Sequence, residues 1–211
     1  MTEKLVIVGA GALGREVFQY VGQAFPDGAL TVAGFLDDRP GPATLPAPLL
    51  GPVSAVRPDC RTAFLVAVGQ AGARAALAAT VTRRGGVLAT LIHPKAHVAP
   101  DARIGPGSLL CPFSFVGAGA RVGANTVLNT FASVAHDSIT GAHCVFSPYA
   151  TVNGSVTLGE AVFLGTHATV VPGRRIGPGA RISAGAVVFS DVPAGHTVAG
   201  NPALERITTA V

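Results

Sequence analysis

Residues 122–152, VGANTVLNTFASVAHDSITGAHCVFSPYATV, put a large apolar side chain at every sixth position: Val122, Leu128, Val134, Phe146 and Val152, with Thr140 the one polar substitute. Followed outward, the register holds for sixteen positions from Val98 to Val188 without a slip. Four residues after each beat comes a small or β-branched side chain, among them Ala102, Ser108, Ser114, Ala120, Thr126, Ala132, Ala168, Ala180 and Ala186; Arg174 is the large exception. The residue directly after the beat favours glycine, as at Gly105, Gly117, Gly123, Gly141, Gly159, Gly165 and Gly177. A period of six with turn-permitting corners describes short flat strands joined by tight bends, stacked into a parallel β-helix. The beat residue points inward, the small residue leaves room for the next face, and the glycine is expected to supply corner angles that a Cβ would resist.

The residues before the repeat follow another rule. Lys4 to Val8 reads as a buried strand, and Gly9, Ala10, Gly11, Ala12, Leu13 and Gly14 turn into a helix from near Arg15 through Val21. Thr31 to Leu36 is a second strand ending at Asp37 and Asp38, and the proline-rich Arg39 to Pro58 is a loop. Phe64 to Val68 is a third strand closed by Gly69, Arg74 to Arg84 an alanine-rich helix, and Val87 to Ile92 a fourth strand. His93-Pro94 is the expected joint, giving domains 1–93 and 94–211. A glycine fingerprint between a strand and a helix exposes backbone N–H groups to phosphate oxygens, and an acidic pair ending the next strand suits a ribose or base. One mononucleotide half fits about ninety residues; NAD would need two, and a purely structural turn is the plain alternative.

Composition narrows the class. The chain has 211 residues, 12% of them charged, and a mean hydropathy of +0.50. Although 138–159 contains no Asp, Glu, Lys or Arg, it carries His143, Asn153, Pro148 and Ser147 at repeat-defined places, which speaks for a repeat core over a membrane span. Met1, Glu3, Lys4 and a short apolar run into glycines do not make a signal peptide. Three cysteines, Cys60, Cys111 and Cys144, lack paired spacing and read as buried thiols in a reducing cytoplasm. The net charge of +4 is dispersed, Arg83-Arg84 and Arg174-Arg175 being its densest pairs, so nucleic acid is a poor partner and an anionic small ligand a better one.

The repeat resembles the hexapeptide-repeat acyltransferases, whose prism is a left-handed β-helix of three hexapeptides per coil; sixteen hexapeptides would make about five coils. With the glycine turn and the Phe-Leu-Asp-Asp strand end in front of it, the whole chain is similar to the sugar-nucleotide acetyltransferases related to sialic acid O-acetyltransferases. The resemblance implies an α/β plus all-β architecture, a half-Rossmann-like parallel sheet followed by a left-handed parallel β-helix. It also implies a nucleotide held at Gly9, Gly11, Gly14, Asp37, Asp38 and Gly69. Leu13 departs from that family, which often has a histidine in the turn.

The repeat frame sorts the histidines. His136, His143 and His167 sit two or three places after a beat, on three different edges, so they cannot gather a metal within one subunit. A zinc-dependent hydration site between subunits would need other histidine spacing and no nucleotide domain. His136 lies in Asn129-Thr130-Phe131-Ala132-Ser133-Val134-Ala135-His136-Asp137-Ser138, similar to the family's catalytic segment. By that resemblance His136 is the general base, Asp137 its orienting acid, Asn129 a sugar contact and Gly154 the backbone N–H donor to the acyl carbonyl. A neutral imidazole can take the proton from an attacking amine or hydroxyl, and a fixed N–H stabilises the developing oxyanion. The donor implied is acetyl-CoA, with no metal, and its contacts are Gly154, Gly165, Thr166, Ser183, Ala184 and the Gly200-Asn201-Pro202 segment. Val145 stands where the family often has a second histidine.

The resemblance implies N-acetylation of a nucleotide-linked amino-deoxy sugar in bacterial lipopolysaccharide or capsule assembly, by a cytoplasmic homotrimer with active sites between subunits. An O-acetyltransferase of sialic acid or another sugar is the alternative, and a non-catalytic sugar-nucleotide-binding trimer a third reading.

Overall fold

The computed structural model describes residues 4–41 and 44–205; Met1, Glu3, two positions of the proline-rich loop and 206–211 of the second domain's span lie outside them. Two bodies of regular structure share the chain. The first is a parallel sheet in which β1 (Lys4–Val8) lies between β2 (Thr31–Leu36) and β3 (Thr62–Val66), with β4 (Val87–Leu88) outside β3. Helix α1 (Ala12–Ala24) links β1 to β2, and α2 (Ala71–Arg83) links β3 to β4. Leu5 to Val8 and Ala63 to Val66 are buried on both faces, as parallel strands covered by helices are. The proline-rich loop doubles back along β2: Phe35 N–H donates to Pro48 O at 2.8 Å and Leu50 N–H to Phe35 O at 2.7 Å.

The second body is a triangular solenoid. Face I stacks the strands at Leu91, Leu109, Val127, Val145, Phe163, Arg181 and Thr197; face II those at His97, Phe115, Ser133, Thr151, Thr169 and Val187; face III those at Arg103, Arg121, Ile139, Thr157 and Arg175. Successive strands of a face are parallel and aligned one coil apart, as in Val127↔Val145 and Leu128↔Phe146. Only the last coil is shorter, with Arg181 opposite Thr197. The beat residues fill the prism: Leu110, Val116, Leu128, Val134, Phe146, Val152, Leu164, Val170 and Ile182 are fully shielded. Each such aliphatic contributes roughly 1.5–3 kcal/mol by leaving water, so the stripe carries the stability of an element whose strands are only two residues long. Thr140 is accommodated because its Oγ1 accepts a hydrogen bond from Gly123 N at 3.0 Å.

Two expectations change. Val87 to Ile92 is not one strand: Val87–Leu88 pairs with β3, whereas Leu91–Ile92 opens face I of the prism, pairing with Leu109–Leu110. The prism therefore has about six coils rather than five. The glycines after the beat also serve another purpose. Left-handed φ values fall three places after the beat, at Phe113, Asn125, Phe131, Asp137, His143, Tyr149, Ser155, Ala161 and His167. At Gly105, Gly141 and Gly159 the constraint is vertical: an added Cβ would strike backbone of the coil above, at Ala124, Gly159 and Pro178 respectively.

Smaller boundary differences follow from packing. Helix α1 starts at Ala12 rather than near Arg15, α2 starts at Ala71 rather than Arg74, and β3 begins and ends two residues before the expected strand. The sheet sits on face I, where Leu91, Leu109, Cys111 and Val127 join Leu5, Ile7, Val17 and Phe35 in one apolar cluster. His93 seals the joint, its Nε2 2.7 Å from Gln23 Oε1 and its Nδ1 accepting from Lys95 N at 3.1 Å.

Candidate active site

His136 and Asp137 sit at the edge where face II turns into face III. Asp137 occupies the left-handed corner (φ 59°), and this bend lets neighbouring side chains meet: His136 Nδ1 lies 2.9 Å from Asp137 Oδ2. A carboxylate only accepts, so Nδ1 carries a hydrogen, and in the neutral imidazole Nε2 is then the atom with the free lone pair. Both side chains are about two-thirds exposed, at 66% and 67%.

Glycines above and below make room for the pair. A Cβ on Gly154, one coil on, would lie 2.5 Å from both Cε1 and Nε2 of His136, and a Cβ on Gly119 2.8 Å from Asp137 Oδ1. The imidazole therefore packs directly on the Gly154 backbone. Covalent geometry then bounds the separation of Nε2 from Gly154 N at about 5 Å. Among the described residues the Gly154 N–H has no acceptor, although its carbonyl is bonded to Gly173 N. A free lone pair beside a free, fixed N–H is the pairing a tetrahedral acyl-transfer intermediate requires.

Other expected site residues lie elsewhere. Asn129 is on the I–II edge, its Oδ1 accepting from Thr130 N at 2.8 Å, and Thr130 in turn lies beside Tyr20 of α1. It neighbours the first domain rather than its own chain's His136. Gly165-Thr166 and Ser183-Ala184 stack on the same I–II edge, where a Cβ on Gly165 would touch Ala184 N at 2.5 Å. Face II separates them from Gly154. Asn201 lies in the C-terminal turn, joined to Pro202 by a cis bond. His167 ends a stack of rings, Phe113, Phe131, Tyr149 and His167, spaced 4.8–4.9 Å. No group of three or more His, Cys, Asp or Glu among the described residues is arranged to hold a metal.

A cavity of about 460 Å³ opens at the carboxyl ends of β1, β2 and β3, lined by Gly9, Asp37, Asp38, Val68, Gln70 and Leu77 among others. This is where an open α/β sheet binds ligands. Gly9 adopts φ 111°, and a Cβ on Gly14 would collide with Gly9 O, so these two glycines hold the turn tight. Gly11 caps α1; neither it nor Gly69 lines the cavity. Asp37 pins the turn to β2: Oδ2 accepts from Ala10 N and Oδ1 from Arg39 N, each at 2.9 Å. Burial raises the Asp37 carboxyl, but the hydrogen bonds from Ala10 and Arg39 outweigh it and hold the group below the usual carboxylate range. Asp38 Oδ1 accepts from Val53 N at 2.8 Å.

Two residues escaped the sequence reading. Arg74, fully buried, and Asn125 bind each other between α2 and the III–I edge of the prism. The available clue was that Ala71, Arg74, Ala78 and Val81 form one stripe of α2, so a cation stands on its apolar face. The cysteines stay apart from the chemistry. Against the expectation of three buried thiols, Cys60, which lies outside the repeat, is exposed, while burial pushes the Cys111 and Cys144 thiols up to about 12. A disulfide reagent should therefore titrate one thiol in the native protein and three after unfolding, and the blocked native protein should keep its turnover. Fast native reaction of two or three thiols would contradict this packing.

No family model matches the chain. A curated relative, the 2,3,4,5-tetrahydropyridine-2,6-dicarboxylate N-acetyltransferase of Staphylococcus aureus, is 48% identical over 48 residues, 23% of this chain and 20% of that protein. The matched segment thus spans about a fifth to a quarter of the curated relatives' length, 20% to 28%. Solved structures match over nearly the whole chain. The acetyltransferase domain of PglB from Neisseria gonorrhoeae, in complex with acetyl coenzyme A, is 33% identical with a TM-score of 0.89, covering 98% of this chain and 100% of that one. A variant of GDP-perosamine N-acetyltransferase from Caulobacter crescentus, in complex with CoA and GDP-perosamine, is 31% identical with a TM-score of 0.87, covering 97% of each chain. WeeI from Acinetobacter baumannii is 31% identical with a TM-score of 0.87, covering 96% and 99%.

Proposed function

Since the chain belongs to the sugar-nucleotide acetyltransferases of the hexapeptide-repeat family, we propose that it moves the acetyl group of acetyl-CoA onto the amino group of a nucleotide-linked amino-deoxy sugar. The observation that carries this reading is the imidazole of His136, held by Asp137 and seated on the backbone of Gly154. The unprotonated amine attacks the thioester carbonyl, forming the C–N bond. His136 Nε2 takes the proton that the nitrogen sheds, Gly154 N–H bonds the oxyanion, and the C–S bond breaks. The imidazolium then returns its proton to the CoA thiolate. Every step uses groups already in place, so no covalent enzyme intermediate is needed.

The nucleotide occupies the cavity at Gly9, Asp37 and Asp38. That cavity belongs to the domain seated on face I, whereas His136 is on the opposite edge, between faces II and III. One chain therefore presents acceptor and base on different sides. In our reading a homotrimer closes the gap, the His136 edge of one copy meeting the Asn129 edge and nucleotide domain of the next. Acetyl-CoA then bridges copies, touching Gly154 on one and Gly165, Thr166, Ser183, Ala184 and Asn201 on the other. The product serves bacterial glycan assembly in the cytoplasm; among the described residues no helix is long and apolar enough to cross a membrane.

The test is CoA release over a panel of UDP-, dTDP- and GDP-linked amino sugars, with sialic acid and neutral sugars alongside. Acetylation of an amino sugar nucleotide supports the proposal; turnover confined to hydroxyl acceptors would replace it with O-acetylation. Asp37→Ala tests the nucleotide end. Losing the hydrogen bonds that fix the glycine turn should raise the acceptor KM about tenfold or more. The acetyl-CoA KM should stay within about twofold. A change in the donor KM alone would contradict the placement.

A further inference from the structure

Arg74 is the one fully buried cation among the described residues, and no carboxylate faces it. Its guanidinium meets oxygen on two bodies at once. Toward the sheet, Nη1 donates to Val66 O and, at 3.1 Å, to Val68 O. Toward the prism, Nε donates to Asn125 O at 3.0 Å and Nη2 to Asn125 Oδ1 at 2.8 Å. Asn125 Nδ2 answers with a bond to Arg74 O at 3.2 Å and lies 2.9 Å from His143 Nδ1. Because Arg74 fixes Oδ1 as the acceptor, Nδ2 must donate, and His143 Nδ1 must be unprotonated.

Removing a guanidinium from water costs several kcal/mol, and a well-packed apolar side chain in its place is often as stable or more so. Stability alone therefore gives no account of Arg74. The rest of the interface is Leu91, Leu109 and Val127 against apolar residues of the sheet domain, a contact without directional preference, with the His93–Gln23 hydrogen bond on the α1 side. A single such tie leaves rotation about it free, and the directional hydrogen bonds of Arg74 at a second point remove that freedom. That point adjoins the nucleotide cavity, since Val68, Gln70 and Ala73 line it and Gln70 caps α2.

We propose that Arg74 is a positioning residue for the acceptor: locked to Asn125, it holds the Val68–Ala73 wall of the nucleotide cavity at a fixed orientation to the prism, so that the sugar amine meets the thioester in line. This rests on the acetyl-transfer reading above. Burial lowers Arg74 to about 9, which leaves it cationic at neutral pH. His143 is lowered by burial, raised by Glu160 and lowered again by Arg74, with a net fall that keeps it neutral and its Nδ1 free for Asn125.

The decisive variant is Asn125→Gly. Asn125 has φ 51°, a value glycine takes freely, so the corner survives while the side-chain bonds to Arg74 and His143 go. We expect a folded protein whose affinities for UDP and GDP and whose acetyl-CoA KM change less than about twofold, with kcat for the amino sugar nucleotide down at least about tenfold, because an ångström of misplacement is costly. Arg74→Gln should do the same and Arg74→Lys should recover part of the loss. A readout independent of turnover uses spin labels on Cys60, the exposed native thiol, and on Ala194→Cys at the far end of the prism, diluted with unlabelled chain. Their distance distribution should broaden in Asn125→Gly. Unchanged kcat, a kcat loss that tracks lost nucleotide affinity, or an unchanged label distribution would each overturn the proposal. Wild-type protein inert toward every acceptor would sink the acetyl-transfer reading instead, while the label distances still decide whether the lock exists.

Discussion

Replacing His136 by alanine is expected to lower kcat for acetyl transfer by at least about a hundredfold while leaving the protein folded. The side chain is 66% exposed and, among the described residues, its one hydrogen bond is to Asp137, so no buried partner is orphaned and the inward stripe is untouched. Its removal leaves the Gly154 N–H in place, and the residual rate measures what oxyanion stabilisation and proximity achieve without a base. The comparison is steady-state CoA release at saturating donor and acceptor, with circular dichroism and sedimentation as controls. Turnover equal to wild type in a folded variant would remove the base assignment. Because the proposed role of the imidazole is to take the proton of the attacking amine and not to hold either substrate, the KM for either substrate should move much less than kcat.

Gly154→Ala carries the second large effect, and it acts without deleting any functional group. The backbone at Gly154 is outside the left-handed region, so alanine brings no torsional strain; its Cβ would nevertheless fall 2.5 Å from His136 Cε1 and Nε2 and 3.2 Å from Cδ2. The ring must swing away by roughly an ångström, which at a reacting centre is worth about a hundredfold in rate. The mechanism of the loss can be isolated. If the methyl acts through the imidazole, Gly154→Ala in a His136→Ala background should cost little further, the non-additivity expected of groups in contact. A full additional hundredfold loss in the double variant would mean that residue 154 affects the donor site by another route.

How far the sequence announced this arrangement varies with the physics of each part. The prism was readable because every inward residue has the same neighbours one coil above and below, and the same demand repeated along the chain leaves a period. Its first coil was hidden because Leu91 is buried beneath the sheet domain while Ile92 is 41% exposed, which breaks the stripe where two bodies join. The contact between His136 and Asp137 was expected from the resemblance on condition of a corner bend, and the left-handed backbone of Asp137 is that bend. The reason for glycine after the beat was not, because the crowding atom belongs to a residue about one coil away. Gly14 misled for the same reason: read as part of a turn, it is helical and faces the Gly9 carbonyl. Arg74 lay inside an alanine-rich helix whose composition says nothing of which face meets another body. Asn129 and His136, seven residues apart in one motif, fall on different edges, since a segment of that length turns a corner of the triangle.

The alignment of Val127 with Val145 and of Ser138 Oγ with Val156 N, eighteen residues on, gives this protein something like a reading frame. Losing a single residue between Val98 and Val188 would turn every later side chain from lumen to solvent, whereas excising a block of eighteen would close up with all pairings conserved. Changes of length during its history are thus quantised, and only the shorter C-terminal turn, where Ile182 meets Val198, escapes the frame.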